Sequence, residues 1–129
     1  MILTTGHPGS EDCVRCKSNE EKKAWALIDA GDDGSFNGEA YASIFYQNAN
    51  HSIRVTDECM QAVENDGEWQ MKEVLTGQPF KTYRARDLMA KIADSAWVCG
   101  DPGMQYDTTI NRWNPVKSIS RASQTGHAT

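Results

Sequence analysis

The sequence predicts a single α/β domain in which helices are joined by a few short strands. Residues 11–30 and 85–98 combine helix-forming residues with apolar side chains, and in 85–98 the apolar positions recur at spacings of three and four. Residues 2–5 and 53–55 are short runs rich in β-branched residues, as brief strands are. With 129 residues, 39% of them hydrophobic, the chain can bury one modest core. We therefore expect one folding unit.

The first part of the chain is predicted to be a strand followed by a long helix. The strand at residues 2–5 leads into a turn at residues 7–10. Ser10 is a candidate helix cap, although the glutamate that would complete a capping box is absent three positions later. Residues 11–30 form either one helix or a helix pair with a break, and Gly31 is the predicted stop.

The middle of the chain contains one ambiguous segment and one clear strand-to-helix transition. The aromatic run at residues 41–46 fits either a strand or a buried helix, because periodicity does not distinguish the two. The strand at residues 53–55 is followed by Thr56, a good cap for a helix that ends at a turn of residues 65–67.

The last part of the chain is predicted to contain a hairpin, a helix and a strand. Residues 69–83 have the alternation and the central turn signal of a small hairpin or of an irregular excursion. The helix of residues 85–98 closes at Gly100. Residues 104–110 are predicted to form a strand. Residues 114–129 are rich in Ser, Thr, Asn, Lys and Gly and lack periodicity, so we expect a divergent, disordered tail.

Charge and hydropathy exclude several classes of partner. The formal net charge is −5, whereas proteins that bind nucleic acid present a positively charged surface to the phosphates. The sequence has no apolar run long enough to cross a bilayer, and the N-terminal residues have neither the basic region nor the long apolar region of a signal peptide. We therefore expect a cytoplasmic protein that binds neither nucleic acid nor membrane.

The four cysteines, Cys13, Cys16, Cys59 and Cys99, are predicted to be reduced and structural or incidental. Cys13 and Cys16 form a Cys-x-x-Cys motif, which can supply half of a zinc site or a redox pair. A zinc site needs two further ligands, and the sequence has no second such motif. No metal site is predicted.

Two other short motifs have a functional and a structural interpretation. Residues 29–34 have acidic residues and a glycine at the spacing found in calcium-binding loops. Positions 3 and 12 of that pattern, which should supply ligands, hold glycine and alanine. A solvated loop is therefore favoured over a calcium site. The polar set Asn48, Asn50 and His51 could line a pocket or ligate a metal. A histidine beside a strand is more often a hydrogen-bonded structural residue.

Three longer runs of sequence are more specific than these motifs. They read HPGSEDCVRCKSNEEKKA, KKAWALIDAGDDGSFNGEAYASIFYQNANHSIRVTDECMQAV and KTYRARDLMAKIADSAWVCGDPGMQYDTTINRW. Together they resemble consecutive internal segments of the large adenosylcobalamin-dependent (class II) ribonucleotide reductases. The resemblance covers residues 1–113, which we interpret as part of the reductase barrel domain. It implies a cytoplasmic role in supplying deoxyribonucleotides for DNA synthesis.

The resemblance also implies a fold and a reaction for the complete enzyme. The fold would be a ten-stranded α/β barrel, of which this chain is a partial segment and, in isolation, an α+β piece. The activity would be that of a ribonucleoside-diphosphate reductase with a disulfide as acceptor. Adenosylcobalamin would generate a thiyl radical on a finger-loop cysteine, and a ribonucleotide and a dithiol reductant would be the partners, with other reductase chains as further candidates.

The sequence departs from the family after Trp113. The family continues to an Asn-Pro-Cys-Ser-Glu motif that holds the radical cysteine, whereas no cysteine follows Cys99 here. No catalytic residue is therefore assigned, and the isolated chain is expected to be inactive. Two interpretations stay open. The chain is a piece of a working reductase, or it is a truncated or frame-shifted product that at most docks with reductase subunits.

The residues with the best claim to lie near substrate or cofactor follow the turn at residues 100–103. They are Asp107, Thr108, Thr109 and Asn111. In α/β barrels functional groups gather where strands end, and these residues are placed late in a predicted strand. The alternative is that Asp107 and Asn111 satisfy backbone groups in the turn that enters the finger loop. Gly100, Pro102 and Gly103 are interpreted as residues that set the turn geometry.

Overall fold

Helices and short strands follow one another along the computed structural model, which describes residues 1–116. In chain order the elements are β1 (Ile2–Thr4), α1 (Ser10–Asp29), α2 (Glu39–Ala42), β2 (Ser52–Val55), α3 (Asp57–Glu64), β3 (Glu68–Lys72), β4 (Pro79–Arg84), α4 (Ala85–Cys99), β5 (Gly103–Tyr106) and α5 (Asp107–Arg112). The predicted α/β class is confirmed, and these residues form no closed barrel. Most of the predicted tail, residues 114–129, lies outside the described range.

The centre of the fold is a three-stranded parallel sheet in the order β1-β2-β5. Leu3, Ile53 and Met104 are in register across the three strands and face the same side. Parallel strands need long crossover connections, which are supplied here by α1 and α2 before β2, and by α3, the β3–β4 hairpin and α4 before β5. The sheet therefore pairs segments that are about fifty residues apart in the sequence.

One face of this sheet is buried beneath the helices. Helices α1 and α4 pack against each other, and α3 packs against α4. The buried core cluster consists of Cys13, Val14, Ile53, Val55, Met71, Leu88 and Ile92. The helical spacing predicted for residues 85–98 places Leu88 and Ile92 in this core, as expected for an amphipathic helix. No described helix combines the length and the apolar character that a bilayer span requires.

The predicted hairpin of residues 69–83 is confirmed as the antiparallel pair β3 and β4. Its turn contains Gly77 at φ +69°, in the left-handed region that glycine tolerates. The hairpin is attached to the end of β1, because the indole Nε1 of Trp69 donates to the Thr5 carbonyl at 3.1 Å and the Lys72 amide donates to the Gly6 carbonyl at 2.9 Å. The hairpin thus covers the segment between β1 and α1.

A carboxylate on the first turn of α1 links three elements. Glu11 accepts hydrogen bonds from Lys91 of α4, from the Tyr83 hydroxyl of β4, and from Lys81 of β4 at 3.0 Å. These donors, Lys91 first and then Tyr83, lower the pKa of Glu11 from its ordinary 4.5 to about 2. The ionised carboxylate therefore joins α1 to the hairpin and to α4.

Three predicted element boundaries are confirmed by their local geometry. Helix α1 is one continuous helix and stops just before Gly31, which adopts φ +108°. The Thr56 hydroxyl caps α3 by accepting a hydrogen bond from the Cys59 amide at 3.3 Å. Gly100 ends α4 at φ +72°. Each of these signals acts within one turn of the helix end, which explains why the sequence alone revealed them.

The proposed cap at Ser10 is wrong. Ser10 is the first residue of α1, and Gly9 occupies the cap position without a side-chain hydrogen bond. The Ser10 side chain is buried, and its hydroxyl lies 3.8 Å from the sulfur of Met71 in β3. Packing against the hairpin has therefore replaced capping as the role of this side chain.

The aromatic run at residues 41–46 is neither a strand nor a buried helix. Only α2, which ends at Ala42, is regular, and the chain then follows an irregular path in which Tyr46 has φ +65°. Phe45 is 69% exposed. This segment is attached to α1 by polar contacts instead, since the Glu20 carboxylate accepts the Phe45 amide at 3.1 Å.

The strand predicted for residues 104–110 is wrong in its second half. β5 ends at Tyr106, and α5 begins at Asp107. An acidic residue in the first turn favours the helix through the helix dipole, and residues 107–110 lack the strict alternation of a half-buried strand. The polar residues assigned to a late strand position therefore lie on a short helix that follows the strand.

Gly100 is expected to resist substitution because of its backbone conformation. An added Cβ would meet no atom within 4 Å, so only the positive φ opposes a side chain there. Gly100→Ala should lower the free energy of unfolding by about 1 kcal/mol. Gly100→Asn should cost less, because asparagine tolerates this conformation. Urea unfolding of both variants tests this, and an alanine variant as stable as the parent would contradict it.

Candidate polar site at the carboxyl edge of the sheet

The face of the sheet opposite the core carries a row of polar side chains. Thr4, Arg54 and Gln105 are in register across β1, β2 and β5. They alternate with core residues such as Ile53 and therefore point away from the helices. Because the three strands are parallel, their carboxyl ends meet at one edge, and this row lies close to it.

Arg54 organises the row. Its Nε donates to the Oε1 of Gln105 at 3.1 Å, and its Nη1 donates to the Oδ1 of Asp107 at 2.9 Å. The Arg54 side chain is 33% exposed and that of Asp107 is 28% exposed, so the ion pair is partly shielded from water. Because the guanidinium is planar, its two hydrogen bonds fix the orientations of the Gln105 and Asp107 side chains.

The structure brings three of the four predicted site residues together at this edge. Asp107 pairs with Arg54. Thr108 accepts a hydrogen bond from the Asp57 amide at 3.1 Å and so joins α5 to the start of α3. Asn111 donates to the Asp107 carbonyl at 3.0 Å, one turn earlier on α5. The fourth, Thr109, has an exposed side chain.

Sequence reasoning missed Arg54 and Gln105. The available signal was a charged residue inside the short strand SIRV, where both neighbours are apolar. A long cationic side chain at such a position is expected to have a partner. The partner carboxylate, Asp107, lies 53 positions later in the chain, so its identity depended on the strand order.

A second polar cluster joins α1 to the ends of β2 and α4. The sulfur of Cys16 lies 3.0 Å from Nδ1 of His51, and the His51 amide donates to both carboxylate oxygens of Asp101, at 3.3 and 3.2 Å. Lys17 pairs with Asp101 at 2.9 Å. The ring of Tyr46 packs edge-on against the imidazole with centroids 5.9 Å apart. His51 is therefore held from three sides.

The other members of the polar set near β2 do not join this cluster through their side chains. The Asn50 contact is made by its carbonyl, which accepts from the N-terminal amine at 2.7 Å. All four cysteines are free thiols, and burial raises the pKa of Cys13, Cys16 and Cys59. Within residues 1–116 no three potential metal ligands from His, Cys, Asp and Glu converge.

The described residues do not fit adenosylcobalamin on their own. The cavity that contains the Cys16 thiol and opens along α1 has a volume of about 600 Å³, and charged side chains such as Glu11, Arg15 and Lys23 line it. A corrin ring with its nucleotide tail is larger and needs broad apolar contact. His51 is 5% exposed and its imidazole is already engaged with Cys16, so it is not free to hold the cofactor.

Comparison with known proteins places these observations in a family. A family model described as the ribonucleotide reductase barrel domain matches residues 1–125. The vitamin B12-dependent ribonucleotide reductase of Rhodopirellula baltica is 50% identical over 115 residues, which are 87% of this chain and 11% of that protein. The protein of the same name from Streptomyces avermitilis is 45% identical over 121 residues, which are 94% of this chain and 13% of that protein.

A more distant relative supports the same conclusion. The vitamin B12-dependent ribonucleoside-diphosphate reductase of Thermoplasma acidophilum is 35% identical over 78 residues, or 60% of this chain and 10% of that protein. The chain thus spans about a tenth of the length of the curated relatives that it matches. The family resemblance in the sequence is confirmed, and the chain belongs to the ribonucleotide reductase barrel-domain family.

Proposed function

We propose that this chain is one segment of the catalytic barrel of a cytoplasmic, vitamin B12-dependent ribonucleotide reductase. The complete enzyme converts a ribonucleotide and a dithiol into a deoxyribonucleotide, a disulfide and water. The observation that carries the proposal is the polar row of Thr4, Arg54 and Gln105 on the face of a parallel sheet that lies opposite α1 and α4. When such a sheet closes into an α/β barrel, the face opposite the packed helices becomes the interior.

The candidate site residues have different roles in this proposal. Asp107, oriented by Arg54, presents a carboxylate at the carboxyl edge, where barrel enzymes bind their ligands. Thr109 and Asn111 follow on the same short helix and are proposed to lie near substrate or cofactor. Thr108 anchors the helix to α3 through the Asp57 amide. Arg54 is a positioning residue that acts through Asp107.

The reaction needs groups that other parts of the enzyme supply. Cobalamin starts the radical chemistry when it is bound, and we propose that the rest of the barrel holds it together with the radical cysteine. The ribonucleotide and the dithiol reductant are the expected small-molecule partners. Within this chain, the polar row would orient a ligand by hydrogen bonding, and the packed helices would exclude water from the back of the sheet.

The second candidate function is docking to reductase subunits without catalysis. It is favoured by large apolar side chains that the described residues leave uncovered, including Leu75 at 98%, Trp97 at 89% and Trp113 at 78% exposure. Surfaces of this kind mark contact sites for other protein segments. The outer edges of β1 and β5 likewise have no strand partner within residues 1–116.

A chimeric enzyme separates the two candidates. The matching segment of the Rhodopirellula baltica reductase is replaced by residues 1–116 of this chain, and deoxyribonucleotide formation is measured with adenosylcobalamin and a dithiol. We expect the chimera to be active. Arg54→Met in the chimera should then lower kcat/KM by about 100-fold, because Asp107 loses the group that orients it.

The matched control is Arg112→Met. Arg112 is an exposed arginine of α5, and its guanidinium lies 3.6 Å from Asp57, so its loss should change kcat/KM by less than about threefold. A folded chimera without activity would favour docking alone. If the chimera is active and both arginine variants change kcat/KM equally, the polar row is not part of the site.

A further inference from the structure

Two thiols and one imidazole line a common cavity at the start of α1. Cys13 and Cys16 lie three positions apart and therefore on the same face in consecutive turns. With His51 and Tyr46 they line an open cavity of about 280 Å³. Cys13 is 5% exposed, whereas Cys16 is more accessible. A small molecule that enters this cavity therefore meets Cys16 before it meets Cys13 or His51, which is also 5% exposed.

His51 is placed to accept the proton of Cys16. Its Nδ1 lies 3.0 Å from the Cys16 sulfur, and the thiol has a second possible acceptor in the Cys13 carbonyl at 3.2 Å. The His51 backbone is held by Asp101 and its ring by Tyr46. A thiol must lose its proton before its sulfur can attack, and a neighbouring imidazole is the usual acceptor. Because burial raises the pKa of Cys16, the resting group is a thiol, and its reaction depends on this transfer.

We propose that Cys16 is a redox-modification site that reacts with low-molecular-weight disulfides and is resolved by Cys13. His51 takes the Cys16 proton, the sulfur attacks one sulfur of the small disulfide, and its S–S bond breaks. The leaving thiolate takes the proton from His51, which leaves a mixed disulfide on Cys16. Cys13 then loses its proton and attacks the Cys16 sulfur as a thiolate, the bond from Cys16 to the second small-molecule sulfur breaks, and the departing thiolate takes up the proton that Cys13 released. Two protein thiols are thereby oxidised to a disulfide, and the small disulfide is reduced to two thiols.

The local backbone permits the second step. Cys13 lies at the fourth position of α1, and its amide makes the first helical hydrogen bond, to the Gly9 carbonyl at 3.1 Å. Gly9 provides no side-chain cap, so Cys13 can shift at this helix end while Glu11 keeps the turn attached to the hairpin and to α4. The Cβ–Cβ distance in a disulfide is slightly shorter than the Cβ–Cβ distance between residues three apart in a helix. A small rearrangement of the first turn brings the two Cβ atoms close enough.

The remaining cysteines lack this arrangement. Cys59 is 1% exposed and therefore out of reach of a dissolved disulfide. The Cys99 thiol donates to two carbonyls, those of Ser95 and Asp101, at 3.2 and 3.3 Å. A carbonyl oxygen is not basic enough to take the proton of a thiol. Cys99 is thus the natural control for a partly exposed thiol without a base.

Oxidised glutathione tests the proposal on the purified 129-residue chain. Intact mass measurement and peptide mapping should show the loss of two hydrogen atoms and a link between Cys13 and Cys16. In Cys13→Ser, one glutathione unit should instead remain on Cys16. In that same variant Cys16 should react at least about tenfold faster than Cys99, and adding His51→Gln should remove most of this advantage.

The comparison within one molecule keeps the test decisive. Even if His51→Gln fails to fold, the relative rates of Cys16 and Cys99 in the folded Cys13→Ser chain give the answer. Equal rates at the two thiols, or a parent chain that accumulates glutathione without forming the Cys13–Cys16 link, would overturn the proposal. Cys99→Ser should still form the link at an unchanged rate. The result does not depend on reductase activity, so the two proposals fail separately.

Discussion

Replacing Ile53 with alanine is expected to lower the free energy of unfolding by about 2–5 kcal/mol. Ile53 is fully buried in the central strand β2 and belongs to the cluster that includes Leu88 and Ile92 of α4. Truncation removes apolar contact on the core face and leaves a cavity, because the strand is fixed by β1 on one side and by β5 on the other. Urea unfolding followed by circular dichroism measures the change.

Ile2→Ala is the matched control for this substitution. Ile2 lies on β1, and its side chain is 52% exposed, so the same truncation should cost less than about 1 kcal/mol. Equal losses at the two positions would show that β2 is not the centre of the core. A change in the slope of unfolding free energy against urea would point to a change in the unfolded or native ensemble instead.

The second large effect is expected from Glu11 and depends on pH. Its folded-state pKa of about 2 lies below the ordinary 4.5, so the ionised carboxylate stabilises the fold. This contribution is fully present above about pH 4.5 and is lost as the pH falls towards 2. Hydrogen bonds from Lys91 and Tyr83 are its main cause, and its magnitude is about 1–3 kcal/mol. Glu11→Gln should lower stability by this amount at neutral pH.

Unfolding measured at several pH values between 2 and 7 tests the role of Glu11. The parent chain should lose stability below about pH 4.5, and the loss should be clearly smaller in Glu11→Gln, because that variant lacks the titrating group. Glu39→Gln is the control, since Glu39 is exposed at the start of the short helix α2. If Glu39→Gln reduced the loss of stability at low pH as much as Glu11→Gln does, the loss would be due to general charge effects and not to the hydrogen bonds of Glu11.

The parts of the fold that were predicted correctly have local causes. Gly31, Thr56 and Gly100 mark helix ends through their own backbone conformation or hydrogen bonds to the adjacent turn. The β3–β4 hairpin pairs neighbouring segments, and its turn residues are typical of hairpins. The wrong predictions arose where the local signal was weak. At Ser10 packing against Met71 outweighed it, and in residues 107–110 the start of a helix outweighed it.

The sequence led to residues at the carboxyl edge of the sheet, and their role in a site stays a prediction. The rule that functional groups gather at strand ends led to Asp107 and Asn111, and the structure puts both at the carboxyl edge of the sheet. Arg54 and Gln105 were missed because their contacts run across strands. Their relevance depends on β5 lying next to β2, and no periodicity within either strand encodes that neighbour.

The sequence by itself determined the family, the α/β class and most helix and strand positions, because these depend on identity to relatives and on signals within one or two turns. Tertiary structure decided which side chains meet. The Arg54–Asp107 pair spans 53 positions and the contact between Cys16 and His51 spans 35. Such contacts follow from the parallel pairing of strands and from the packing of α1 on that sheet, which only the folded chain brings about.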